Sequence, residues 1–198
     1  MTVPTNLADD DLLRLVASGN ETAFTELYQR RQGAVYRFAL HMSGSPSMAE
    51  EVTQEVFLML LGDSASYDRT RGPLVAYLYG IARRLVWRRM AHRQSHVPIS
   101  GVEDEEARTP DYLISRSEVE RDMVRDEAVR SLRRAILALP AGYREAVVLC
   151  DLHELSYADA ARVLGCAVGT VRSRLHRARA LLSERLGPKK PSSSGCFV

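Results

Sequence analysis

The sequence predicts an all-α chain of two small helical domains joined by an acidic linker. Apolar residues recur at helical spacing through most of the 198 residues, and no segment alternates as a strand would. Serine, glycine and proline fall where helices start and stop. Charge is arranged in blocks that the net value of +2 conceals. Residues 83–93 hold five arginines and no acid. Residues 103–127 hold ten acids against four arginines. The segment from Arg172 to Lys190 is basic again, with seven lysines and arginines against Glu184. Two basic modules therefore flank an acidic connector, a distribution that points to nucleic acid more directly than net charge does.

In chain order, residues 9–18 read as a short helix with Leu12, Leu13, Leu15 and Val16 on its apolar side, ended by Ser18-Gly19-Asn20. A second helix runs from about Glu21 to Met42, where Phe24, Leu27, Tyr28, Val35 and Ala39 share a face. Ser47 with Glu50 forms a capping box that opens a third helix over 48–61. Gly62–Thr70 is a loop, and Gly72-Pro73 announces a fourth helix to about Ser95, with Leu74, Leu78, Ile81 and Leu85 inward. No periodicity is sustained from His96 to about Arg116. Helicity resumes near Ser117 and runs to Pro140, followed by Tyr143–Leu152. The domains are drawn at 9–95 and 131–187, with a linker at 96–130 and a flexible tail at 188–198.

Residues 151–182, DLHELSYADAARVLGCAVGTVRSRLHRARALL, carry the strongest functional signal. Ser156 and Asp159 cap a helix that Gly165 breaks, and Gly169-Thr170 opens the next. Val171, Leu175, Ala178 and Leu182 recur on one face of that second helix. Arg172, Ser173, His176 and Arg177 fall opposite, flanked by Thr170 and Arg174. A helix held by aliphatics and presenting arginine, serine and histidine suits a major groove, which makes this a helix-turn-helix reader of duplex DNA.

The helix over 73–95 has a different signature. Tyr77, Tyr79 and Trp87 interleave with Arg83, Arg84 and Arg88, and the preceding loop adds Tyr67, Arg69 and Arg71. Aromatic faces stack on unpaired bases while arginines hold phosphates, so this module suits single-stranded DNA. The competing reading makes Tyr77 and Trp87 packing residues.

Other classes fare poorly. There is no phosphate-cradling loop, no nucleophile elbow and no H-E-x-x-H, which argues against an enzyme. The five histidines and three cysteines lack metal-ligand spacing, so neither metal nor cofactor is expected. Cys150 and Cys166 sit among apolar residues as reduced thiols, and Cys196 lies in the tail. No stretch approaches the roughly 20 apolar residues of a membrane span, and the amino terminus lacks the basic-then-apolar pattern of a secretion signal. A cytoplasmic protein without membrane insertion is expected.

Three segments resemble bacterial extracytoplasmic-function sigma factors, the small initiation subunits of RNA polymerase. MAEEVTQEVFLMLL (48–61) resembles the family's region 2 helix that docks on the polymerase clamp. GPLVAYLYGIARRLVWRRM (72–90) is similar to its helix that melts and reads the −10 element. LSYADAARVLGCAVGTVRSRLHRARALL (155–182) is similar to its region 4 reader of the −35 element. The resemblance implies core polymerase contacts from Glu50, Glu51, Gln54, Glu55 and Phe57. It implies −10 contacts from Tyr77, Arg83, Arg84, Trp87 and Arg88, and −35 contacts from Thr170, Arg172, Ser173, Arg174, His176 and Arg177. Its implied partners are core RNA polymerase, promoter DNA and an anti-sigma factor. It further implies that the two domains of the free protein pack together or are held by that partner, with DNA-reading surfaces masked. The chain departs from the family pattern at Tyr77, Arg84 and Arg88, so its −10 sequence does not follow from relatives. The rival is a stand-alone helix-turn-helix regulator that uses only the carboxy-terminal reader.

Overall fold

The structure, a computed structural model, describes residues 7–96 and 116–187, and all regular structure within them is helical. The linker residues 97–115 and the tail 188–198, with Cys196, lie outside the described residues. Helices α1 (Asp9–Ala17), α2 (Glu21–Ser43), α3 (Pro46–Gly62) and α4 (Leu74–His96) form an amino-terminal cluster. Helices α5 (Arg116–Leu137), α6 (Ala141–Val147), α7 (Tyr157–Leu164) and α8 (Val168–Leu186) form the second, with a π turn at Val148–Leu152. Helix α5 is continuous through the boundary drawn at 130/131.

Local chemistry sets most of these bounds. The Asn20 side chain accepts from the Ala23 amide and starts α2, which ends at Gly44 in the left-handed region (φ 72°). A side chain is disfavoured there, and a Cβ would also meet Leu137 of α5 at 2.9 Å. Helix α3 corrects the sequence reading. Its cap is Ser45, which accepts from Met48, because Pro46 takes the first helical position and leaves Ser47 exposed inside the first turn. Proline suits that position since its missing N–H has no intrahelical partner there. Ser156 caps α7 as read, accepting from the Asp159 amide at 3.1 Å. Helix α8 begins at Val168, one residue ahead of the predicted Gly169.

Buried apolar side chains form one continuous core across both clusters. Leu27, Val35, Phe38, Met42, Val52 and Leu60 are fully buried in the first, and Leu139, Leu149, Val171 and Leu175 in the second. Helix α4 is buried on more than one side. Leu74, Leu78, Ile81 and Leu85 face inward as read, and Tyr79 is also buried, 2% exposed, against Phe38 and His153. Tyr79 therefore leaves the polar side on which the sequence reading placed it.

Ser45→Ala should cost about 1 kcal/mol of stability in chemical denaturation, as loss of an N-cap does, whereas Ser47→Ala should be near neutral. Equal effects would contradict the cap assignment.

Candidate nucleic-acid interface

The reading face of α8 is built by its own packing. Val171, Leu175 and Ala178 are buried, and on the far side Arg172, Ser173, His176 and Arg177 are exposed. The Arg172 guanidinium lies 5.8 Å from the centre of the Tyr157 ring, close enough for a cation–π contact. Arg179 donates two hydrogen bonds to Asp151, at 2.6 and 3.0 Å, which tie α8 to the π turn. Ser173 Oγ donates to the Thr170 carbonyl. Arg174 is half-buried, and its guanidinium packs over Gly142 of α6. It therefore belongs to the flank of the helix rather than to the exposed face with Arg172 and Arg177.

The arginine-aromatic helix α4 is differently disposed. Arg84 and Arg88 are exposed, while Tyr77, Arg83 and Trp87 are half-buried. Arg83 Nε and Trp87 Nε1 both donate to Glu145 Oε1, each at 2.6 Å. Glu145 lies on α6 and is only 4% exposed. One carboxylate of the second cluster thus occupies two residues assigned to DNA. The two regions pack together, but the masking is confined to these two residues, since Arg84, Arg88 and the α8 face of Arg172, Ser173, His176 and Arg177 stay exposed. Trp87 is at once a packing residue and a hydrogen-bond donor. Around it, Arg144 donates to the Met42 carbonyl at 2.7 Å and to the Leu137 and Leu139 carbonyls. Tyr79 and His153 share a hydrogen bond of 2.8 Å.

Beside this seam lies a cleft of about 610 Å3, lined by Tyr67, Tyr77, Arg71, Arg83, Arg84 and Arg162 among others. The Tyr67 and Tyr77 rings stand 5.6 Å apart and tilted. The Tyr67 hydroxyl donates to Asp10 (2.7 Å) or to the Gly72 carbonyl (3.0 Å). Burial and the Asp10 carboxylate both hold that phenol above the ordinary tyrosine range, so it stays a donor.

Comparison with known proteins gives this arrangement its family. Residues 27–96 match the model for Sigma-70 region 2 and residues 130–182 the model for Sigma-70, region 4. The chain is 33% identical over 190 residues to the RNA polymerase sigma-H factor of Pseudomonas aeruginosa, covering 91% of this chain and 94% of that one. The chain belongs to the extracytoplasmic-function sigma factors. It is 35% identical over 169 residues to SigC of Mycobacterium tuberculosis, covering 85% and 86% of the two. It is 31% identical to SigE of Mycolicibacterium smegmatis, spanning 65% of that relative's length. Among solved structures it resembles CnrH in complex with the cytosolic domain of CnrY (TM-score 0.66, 26% identity, covering 93% of this chain and all of that one). It also resembles the sigma factor RpoE in complex with the anti-sigma factor NepR from Bartonella quintana (0.64, 26%, covering 84% and 98%). The chain is thus a subunit that directs RNA polymerase to promoters and is not itself an enzyme. The rival reading as a stand-alone regulator leaves the region 2 match unexplained. No helix among the described residues is long and apolar enough to cross a membrane.

The sigma factor's region 2 docking segment also needs correction. Phe57 is 2% exposed and packs edge-on against Tyr28 at 4.8 Å, so it is a core residue and not a contact surface. Glu55 accepts from Arg88 at 2.5 Å and pairs with Arg89 at 2.7 Å. Burial opposes its ionisation, but the bonds from Arg89 and Arg88 outweigh that and hold its carboxyl below the ordinary range. Glu51 pairs with Arg89 at 3.2 Å, while Glu50 and Gln54 are exposed. The sequence reading missed Leu58, Met59 and Leu61, which are 66%, 45% and 46% exposed on the same helix. The unbroken run Leu58-Met59-Leu60-Leu61, too wide for one buried stripe of a helix, was the available signal.

Glu145→Ala removes both bonds across the seam. It should weaken the packing of the two regions by roughly 1.5–3 kcal/mol per bond lost, the range for hydrogen bonds to charged groups. A red shift of Trp87 emission and a larger radius of gyration in solution scattering would report it. An unchanged spectrum and radius would sink the assignment.

Proposed function

We propose that this sigma factor works through three surfaces, two exposed in the packed arrangement and one partly withheld. The first is the α8 face of Arg172, Ser173, His176 and Arg177, which enters the major groove of the −35 element, with Thr170 and Arg174 on its flank toward the backbone. Exposed arginines opposite a buried aliphatic stripe support this role. The second is the α3 face, where Glu50, Glu51 and Gln54 with Leu58, Met59 and Leu61 bind core polymerase. Apolar residues beside charged and polar ones are the usual composition of such an interface.

The third surface is α4 with the Tyr67–Tyr77 cleft, which captures an unpaired base of the melted −10 element. Arg84 and Arg88 are ready for phosphate, although Arg88 must exchange Glu55 for it. Arg83 and Trp87 join only when Glu145 withdraws. The observation that carries this reading is the single Glu145 oxygen held by both of them. Promoter opening then requires separation of regions 2 and 4, with region 4 anchored on duplex while region 2 holds the displaced strand. RpoE of Bartonella quintana was solved with the anti-sigma factor NepR, and we infer an anti-sigma partner here that stabilises a masked state.

Pull-down with core polymerase, followed by run-off transcription on genomic fragments, tests the function and yields the promoter. Tight duplex binding without polymerase, and no run-off product, would overturn it. Within the holoenzyme, Arg172→Ala and Arg177→Ala should each cost roughly 1–3 kcal/mol of promoter binding if they read base edges, with relaxed preference at one position. Two variants with unchanged binding would show that the reading face is elsewhere. Arg84→Ala with Arg88→Ala should permit closed complexes but reduce permanganate reactivity of −10 thymines. A pre-melted bubble should restore much of the lost transcription, and equal failure on both templates would contradict a melting role.

A further inference from the structure

The seam between the two regions contains a pair of histidines that the functions above do not use. His41 on α2 and His153 at the end of the π turn face each other with ring centres 6.1 Å apart. His153 also packs edge-on against Phe38 and Tyr79 and shares its Nδ1 with the Tyr79 hydroxyl. His41 Nδ1 and His153 Nε2 are buried with no hydrogen-bond partner among the described residues. The charges that act on the two rings come from Arg37 on α2 and Arg133 on α5, and both are positive. On α4 the facing group is the Tyr79 phenol, which burial raises to about 12 and keeps neutral. Of the carboxylates flanking His153, Asp151 is bound by Arg179 and Glu154 is exposed to solvent, and neither is among the charges that act on the ring. A second proton in the pair would set cation against cation.

We propose that His41 and His153 form an acid-sensitive wedge in the seam, which loosens the packing of region 4 on region 2 as the medium acidifies. Burial, then the neighbouring ring and Arg37, push His153 down to about 4 from an ordinary 6.5. Burial and the two arginines lower His41 as well. Once the regions part, both rings meet water and regain ordinary basicity. The packed arrangement therefore has its full stability above about pH 6.5 and loses it as pH falls from there toward 4. At pH 5.5 the opening constant rises about ten-fold from His153 alone, and further with His41. Release of Arg83 and Trp87 would follow, a consequence that rests on the role proposed for them above.

The test uses the full chain carrying Glu145→Gln, which weakens the seam and removes its own carboxylate from the titration. Emission of Trp87, the sole tryptophan, and solution scattering then measure opening at pH 7.5 and 5.5. The expected rise in the opening constant is ten-fold or more, and adding His41→Gln and His153→Gln should cut it below two-fold. A flat response in the first variant, or an undiminished one in the triple variant with normal helicity, overturns the proposal. Carbon-detected titration of the wild-type histidines needs no substitution. His153 must stay neutral well below pH 6.5, and ordinary titration of that ring also overturns the proposal. Separation is read without promoter or polymerase, so its failure is distinguishable from failure of the promoter assignments.

Discussion

Burial of the Glu145 carboxylate is the constraint around which the two regions are arranged. A carboxylate at 4% exposure is costly unless its charge is answered within the protein. Here it is answered by one charged and one neutral donor on a single turn of α4, Arg83 and Trp87. That requirement ties α6 to α4 through side-chain bonds alone, while α7 supplies the helix packing against α4. The apolar core continuous through the seam supplies attraction without direction. The carboxylate supplies the direction. Helix α4 is in consequence a core wall and a seam at once, besides the DNA-facing role proposed for it, and its helical wheel shows no single polar side.

That multiplicity explains what could be read from the sequence and what could not. The elements were legible because their boundaries are local chemistry, as with Asn20, Ser156 and Gly165. The exposed basic face of α8 was legible because a helix packed on one side sorts its residues by a simple period. Tyr79 and Phe57 were misplaced for a shared reason, since each is an aromatic on a helix buried from two directions. The pattern of Ser47 with Glu50 is formally a capping box, but Pro46 shifts the helix start by two residues. Glu145 carried no signal, since its partners lie 58 and 62 positions earlier. Leu58, Met59 and Leu61 were hidden by the habit of assigning apolar residues to the interior.

The charge blocks also read differently once folded. The arginines after residue 83 look like a uniform basic patch in the sequence. In the structure Arg88 and Arg89 are answered by Glu51 and Glu55 of α3, and Arg83 by Glu145. Arg84 remains exposed on the helix beside the Tyr67–Tyr77 cleft. Much of the positive field of region 2 is thus compensated internally, which limits non-specific attraction to nucleic acid. On α8 the equivalent compensation among the described residues reaches only Arg179, which Asp151 uses to hold the helix in place.

Arg144 and Glu145 are neighbours in the chain, yet they engage region 2 through opposite charges. Arg144 meets the carbonyl end of α2 at Met42, and Glu145 meets the donors of α4. Turning α6 by a single residue would bring a guanidinium toward Arg83 in one sense, or a carboxylate toward a helix carboxy terminus in the other, and either is repulsive. The pair acts as a polarity key: a region 4 that parts from region 2, as proposed, returns in one orientation only.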